Sequence, residues 1–146
     1  MKRASLALAM LALPAAATGD LSLQPGQWRS SVTIVDALAP AAPALAASMK
    51  GKKNVLVSCL SATQAPHGLH LLLSGGEAQC RFTSFTVKAN HLRSTMVCSG
   101  RSGATTTVST GSFSPTGFDI SGTATTAGAI RMTMKTRTIG QRTGSC

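Results

Sequence analysis

The chain of 146 residues has no tyrosine, one tryptophan and four phenylalanines. That excludes the stacking platforms of single-strand nucleic-acid binders, which need several exposed rings along a basic groove. Acidic residues are as scarce: Asp20, Asp36, Glu77 and Asp119 are the only four, and they fall in separate segments. Paired-carboxylate chemistry such as glycoside hydrolysis has no constellation to draw on. No G-x-S-x-G nucleophile elbow and no G-x-x-x-x-G-K phosphate loop occurs. Beyond the N-terminus no apolar run approaches the roughly 20 residues that span a bilayer, so no transmembrane segment is expected in the mature chain. The sequence points away from an enzyme and from any cofactor.

What is present begins with an export signal. Lys2 and Arg3 supply a positive n-region, Ala4 to Leu13 an apolar run too short to span a membrane, and Pro14 to Ala17 a small-residue cleavage zone. Residues 1–17 are expected to be removed, leaving residues 18–146 as one exported domain of about 129 residues. The expected compartment is the periplasm of a Gram-negative bacterium. Losing Lys2 and Arg3 leaves twelve basic residues against four acidic ones, a net charge of about +8. Such a balance favours anionic partners, and export argues for envelope components over nucleic acid.

Helix signals are weak and strand signals frequent. Trp28 to Val35 alternates, with Trp28, Val32 and Ile34 on one face and Arg29, Ser31 and Thr33 on the other. Residues 37–49 form an Ala/Pro loop with one helical turn after Pro43. Lys50, Lys52 and Lys53 make a basic tip before a strand over Asn54 to Cys59. Ser61 is positioned to cap a short helix that Leu69, Leu71, Leu72 and Leu73 bury and Gly75-Gly76 ends. Further strands are expected over Arg81–Val87, Leu92–Ser99, Thr105–Phe113, Phe118–Ala124 and Ala129–Ile139. In the last of these Ile130, Met132 and Met134 alternate with Arg131, Thr133, Lys135 and Arg137. The fold class is mostly β: an antiparallel meander of about seven strands in nearest-neighbour order, curled into an open or partly closed barrel, with one short helix.

Cys59, Cys80, Cys98 and Cys146 are an even set in an exported chain and are expected to form two disulfides. Their spacings match no zinc arrangement. Three connectivities are open. If Lys88-Ala89-Asn90 is a three-residue loop in which Asn90 takes the left-handed conformation, residues whose numbers sum to 178 face each other. Cys80 then sits opposite Cys98, leaving Cys59 for Cys146. A Cys98–Cys146 bridge would require another register.

Few groups remain for chemistry. His67 and His70, in an H-x-x-H spacing, suit one metal-binding helix face with Glu77 nearby, but a solvated helix edge explains them more simply, and no metal is expected. His91 reads as a turn residue. Met96, Met132 and Met134 suit copper(I) capture less well than an apolar core. The basic residues Lys50, Lys52, Lys53, Arg93, Arg131, Lys135 and Arg137 are the candidate polyanion-binding set. The competing explanation is an ordinary solvated sheet face with edge lysines that block aggregation. The expected function is a non-enzymatic envelope binding or structural protein with a basic face; the alternatives are a metal-binding or hydrolytic protein using His67 and His70, and a carrier of an apolar ligand inside the curled sheet.

Several of these features occur together in a known family. Pro25-Gly26-Gln27-Trp28 follows the signal, Cys59-Leu60 opens a helical stretch, and Cys80 and Cys98-Ser99-Gly100 lie a hairpin apart. A Met/Thr-rich strand follows at Arg131–Lys135, and Gly144-Ser145-Cys146 ends the chain. In this combination the chain resembles the exported proteobacterial domain-of-unknown-function family numbered 3617. Members commonly carry an acidic residue after the tryptophan, where this chain has Arg29. The resemblance implies an exported, cysteine-bridged domain and brings no activity with it.

Overall fold

Period-2 patterning with frequent β-branched and threonine residues builds one sheet of seven strands, seen in a computed structural model that describes residues 22–75, 79–101 and 103–146. The proposed signal segment and Glu77 lie outside the described residues. The strands are β1 (Gly26–Leu38), β2 (Lys53–Leu60), β3 (Cys80–Lys88), β4 (His91–Gly100), β5 (Gly103–Ser114), β6 (Gly117–Ala127) and β7 (Met132–Gly144). All pairings are antiparallel, and the spatial order is β2-β1-β7-β6-β5-β4-β3. The expected meander is present from β3 to β7. The nearest-neighbour rule breaks once, between β2 and β3, and the last strand pairs with the first instead. The residues between β2 and β3 explain the break: a short 3-10 turn (Ala65–His67) and helix α2 (Gly68–Ser74) occupy the interval. The sheet therefore stays open, with β2 and β3 as its edges.

α2 lies on the inner face and fills one end of it. Leu69 and Leu72 of α2 join Leu23, Trp28, Leu60, Leu92, Phe113, Phe118 and Ile120 in a single buried cluster. Its centre is Trp28, which is fully buried and stacks on Phe118 with ring centroids 6.0 Å apart. The indole N–H donates to the Gln24 carbonyl at 3.0 Å, so the one polar atom of the ring is satisfied. Phe118 packs against Gly140 of β7, whose missing side chain is the space the ring occupies. The Pro25-Gly26-Gln27-Trp28 segment has a physical role at this end. Gly26 has φ +136° and faces the Gly144 carbonyl and the Arg142 guanidinium, so no side chain fits there, while the Pro25 carbonyl accepts from Arg142 Nε at 2.7 Å. Ser61 caps the turn before the 3-10 segment rather than α2. Its hydroxyl accepts from Gln64 N–H, and Gln64 Oε1 accepts from Ser61 N–H. Gly75, at φ +64°, ends α2 as expected.

A second helix, α1 (Pro43–Met49), follows β1 and buries Ala46. It realises the helical turn after Pro43 at twice the expected length. No helix among the described residues is long and apolar enough to cross a membrane.

The disulfides join Cys59 to Cys146 and Cys80 to Cys98. The register that sets the second pair differs in detail from the loop count. The β3–β4 turn has two residues, because Lys88 faces His91, and Ala89 rather than Asn90 takes the positive φ, at 52°. Near the turn, facing residues sum to 179. A β-bulge at Thr83 adds one residue to β3, so that Phe82 faces Met96 and Cys80 faces Cys98. Turn and bulge compensate each other. The Cα atoms of Cys80 and Cys98 are 4.0 Å apart, as directly opposed, non-hydrogen-bonded residues require. Two disulfides mark a protein of an oxidising, non-cytoplasmic compartment.

Candidate functional site

Residues paired across an antiparallel sheet point to the same face, so the registers show which side chains align. One row runs across all seven strands: Lys53 (β2), Thr33 (β1), Arg137 (β7), Ser121 (β6), Thr110 (β5), Arg93 (β4) and Thr86 (β3). It lies on the outer face, away from α2. The rows on either side add Lys135 and Lys88, and the outermost rows add Arg29 and Arg81. All these basic residues are exposed. Arg142 is the one strand arginine or lysine on the inner face among the described residues, and it is held by Pro25.

Two carboxylates interrupt the face. Asp119 receives Arg137 in a fork, Nε to Oδ1 at 2.9 Å and Nη2 to Oδ2. The Arg137 hydrogen bonds hold the Asp119 carboxyl below its usual range, and Asp119 raises the guanidinium in turn. Asp36 lies 3.5 Å from Lys50. Of the candidate polyanion-binding residues, the structure therefore aligns Lys53, Arg93, Lys135 and Arg137 on one face. Arg137 is already partnered. Lys50 sits with Asp36 at the end of α1, Lys52 lies in the β1–β2 connection, and Arg131 stands at the β6–β7 turn, just before β7.

Between the basic positions the outer face is hydroxyl-rich and partly apolar. Two shallow hollows of about 380 and 430 Å³ adjoin at Thr110, one reaching Lys135 and the other Arg93 and Lys88. Exposed Val35, Val55, Val57, Val108 and Ile139 lie on the same face. The combination of spread positive charge, hydroxyls and exposed aliphatic side chains suits an extended anionic surface better than a single small anion.

The histidine pair has another role. His70 stacks on Phe85 with ring centroids 3.7 Å apart and meets Phe82 edge-on at 4.9 Å. The Thr83 bulge makes this possible, since Phe82 and Phe85 are three apart and would otherwise face opposite ways. Burial lowers the His70 pKa, and the nearby His67 lowers it further. His67 is exposed, and among the described residues no three His, Cys, Asp or Glu side chains converge as metal ligands. Met96 and Met134 share an inner row but are separated by Thr107 and Ala124. Three strand spacings of roughly 4.8 Å put them about 14 Å apart, too far to share one metal ion. His91 follows the β3–β4 turn, exposed and opposite Lys88.

Arg93, Lys135 and Arg137 were legible as the polar half of an alternation, whereas Lys53 read as part of a loop tip and Lys88 as a turn residue, and the structure places both in strands. Their alignment into one row was not, because it depends on the β1–β7 pairing and on every register between. The profile of a family described as "Protein of unknown function (DUF3617)" matches residues 23–146. No curated protein and no solved structure matches the chain. The chain belongs to the DUF3617 family.

Proposed function

We propose that this DUF3617 member is a non-enzymatic protein of the periplasm that docks its outer sheet face onto anionic components of the envelope. The observation that carries the reading is the cross-sheet row of Lys53, Arg137 and Arg93 with Lys135 and Lys88 beside it. The disulfides and the signal-like segment over residues 1–17 support the compartment. A basic side chain near an anionic membrane surface contributes about 1 kcal/mol, so three unpaired ones give on the order of a hundredfold in affinity. Arg137 contributes less because Asp119 neutralises it.

Co-sedimentation with phosphatidylglycerol vesicles, alongside retention on heparin, tests this. The wild type should bind at physiological salt, and binding should fall steeply as salt rises. The triple variant Lys53→Gln/Arg93→Gln/Lys135→Gln should lose on the order of a hundredfold. A wild type that binds neither vesicles nor heparin at physiological salt ends the proposal.

A further inference from the structure

The two edges of the sheet are unequal. Native sheets protect an edge with charges, proline or a bulge, because its unpaired N–H and C=O groups can take up another strand. β3 has such protection: Arg81 and Lys88 near its ends and the bulge at Thr83 between them. β2 has only Lys53 at its start. From Asn54 to Leu60 it holds no charge and no proline, and its register with β1 runs unbroken. Every residue from Lys53 to Cys59 is exposed, among them Val55 at 38%, Leu56 at 40% and Val57 at 59%. No other strand among the described residues carries so long an exposed run.

Backbone geometry fixes which groups this edge presents. Ile34 N–H donates to the Lys52 carbonyl, so Lys52 bonds towards β1. Alternation along an antiparallel strand then turns Asn54, Leu56 and Ser58 towards β1, and Lys53, Val55, Val57 and Cys59 outwards. The outward-bonding residues are all odd-numbered, so two copies of β2 that pair antiparallel place odd opposite odd. The two-fold axis relating them stands perpendicular to the sheet, with both outer faces on one side.

One register matches like with like. About an axis at Leu56, residues whose numbers sum to 112 face each other across the two copies. Leu56 meets Leu56 of the second copy, Val55 meets Val57, and Asn54 meets Ser58. Each Val55–Val57 pair exchanges both backbone bonds, and the two Leu56 side chains form the closer, non-hydrogen-bonded kind of pair. Lys53 faces neutral Cys59, so no two cations are opposed and the lysines lie at opposite ends. Moving the axis to Val55 or Val57 would instead set Asn54 or Ser58 against Leu56. Pairing of β2 with the protected β3 of another copy would grow an open fibre, whereas β2 with β2 closes at two.

We propose that this chain forms a two-fold dimer by antiparallel β2–β2 pairing centred on Leu56, which continues the sheet across both copies. The dimer presents two copies of the basic row to one plane, although the pairing itself does not rest on that docking role. A strand edge about 24 Å long and about 10 Å thick falls below the roughly 1,200 Å² of standard interfaces, which makes the dimer a reversible, concentration-dependent one.

Sedimentation velocity of the oxidised protein, from about 1 to about 500 µM, tests the proposal. The wild type should pass from monomer to dimer within that range. Leu56→Lys sets two lysines directly opposite each other and should weaken dimerisation at least about tenfold, with the monomer still folded by circular dichroism. Arg93→Gln/Lys135→Gln, away from this edge, should dimerise like the wild type whatever its effect on vesicle binding. Cross-linking reads the register. Leu56→Cys should form an intermolecular disulfide on mild oxidation, because directly opposed non-hydrogen-bonded residues lie within bridging distance. Val57→Cys should not, because the two copies of that position are about 8 Å apart. A wild type that stays monomeric throughout, or a dimer indifferent to Leu56→Lys, overturns the proposal. So does a Leu56→Cys chain that cross-links no better than Val57→Cys.

Discussion

The two ends of the inner face are built from the same strands and differ in how they are filled. At one end Trp28, Phe113, Phe118 and Ile120 meet Leu69 and Leu72 of α2 in a closed core. At the other, Met132, Met134, Thr105 and Thr107 form a floor with no second layer as continuous. Each end has its own disulfide. Cys59–Cys146 closes the filled end, where β2, β1 and the end of β7 lie side by side, and Cys80–Cys98 closes the open end across β3 and β4. The contrast shows a division of labour within one sheet. Stability is concentrated where the helix enters, which leaves the opposite end free to be half-exposed without unfolding the domain.

The largest expected effect is on the filled end. Trp28→Ala removes the central ring and should cost about 3–5 kcal/mol in chemical denaturation. Gly140→Val puts a side chain where the Phe118 ring lies and should be destabilising on a similar scale, whereas the same change at exposed Gly75 tests only a left-handed cap. Next comes the long bridge. Cys146→Ser frees a separation of 87 residues, and loop-closure entropy predicts a loss of about 4.5 kcal/mol, with Cys80–Cys98 still intact by peptide mapping. At the open end the same kind of truncation should matter less: Met134→Ala is expected to cost about 1 kcal/mol, because the side chain is only half-buried. A Met134→Ala loss as large as that of Trp28→Ala would erase the distinction between the ends.

Proton binding sharpens the contrast further. Burial lowers the His70 pKa below its unfolded value of about 6.5, so the folded protein prefers the neutral ring. That contribution is fully present above about pH 6.5 and is lost as pH falls from there towards the folded value. Denaturation midpoints measured between pH 7.5 and pH 5 should fall in the wild type and fall less in His70→Phe, which keeps the aromatic contact with Phe82 and Phe85. The smallest effect is at the surface. Asp119→Asn should change stability by less than about 1 kcal/mol at neutral pH, since the pair with Arg137 is exposed. It should also strengthen vesicle binding, by releasing a cation on the outer face.

Much of this architecture can be read from the residues. The alternations at Trp28–Ile34 and Met132–Arg137 identify strands and their buried sides, and the Ser61, Gly75 and leucine pattern identifies a helical insert. The places where reading fails have physical reasons. Ala89 at φ +52° has no side-chain signal of the kind Asn90 offers, so the turn is set by the strands on either side. The Thr83 bulge left a trace in the odd spacing of Phe82 and Phe85, because two inward aromatics three apart cannot sit on an unbroken pleat. Gly140 gave no sign that it makes room for Phe118, since that contact exists only once β6 and β7 are in register. The candidate face was legible as charge and not as a place, because its row joins residues as far apart in sequence as Thr33 and Arg137.

The bulge has one more consequence. With a two-residue turn and no bulge in β3, Cys80 would face position 99, on the other side of the pleat from Cys98. In the chain as it stands, the two sulfurs can meet only when the bulge at Thr83 has formed. Oxidation of this pair therefore records that the hairpin has found its native alignment, and a cellular oxidase acting on the chain would seal the correct register in preference to its one-residue slip. The cysteine pair works as a checkpoint as well as a staple, and thiol trapping during refolding would reveal it: a chain with one residue inserted between Arg81 and Phe82, which sets Cys80 opposite Ser99, should stay reduced at Cys80 and Cys98 long after Cys59 has closed onto Cys146, whereas a chain lacking Thr83 keeps the pair opposed and should still close it.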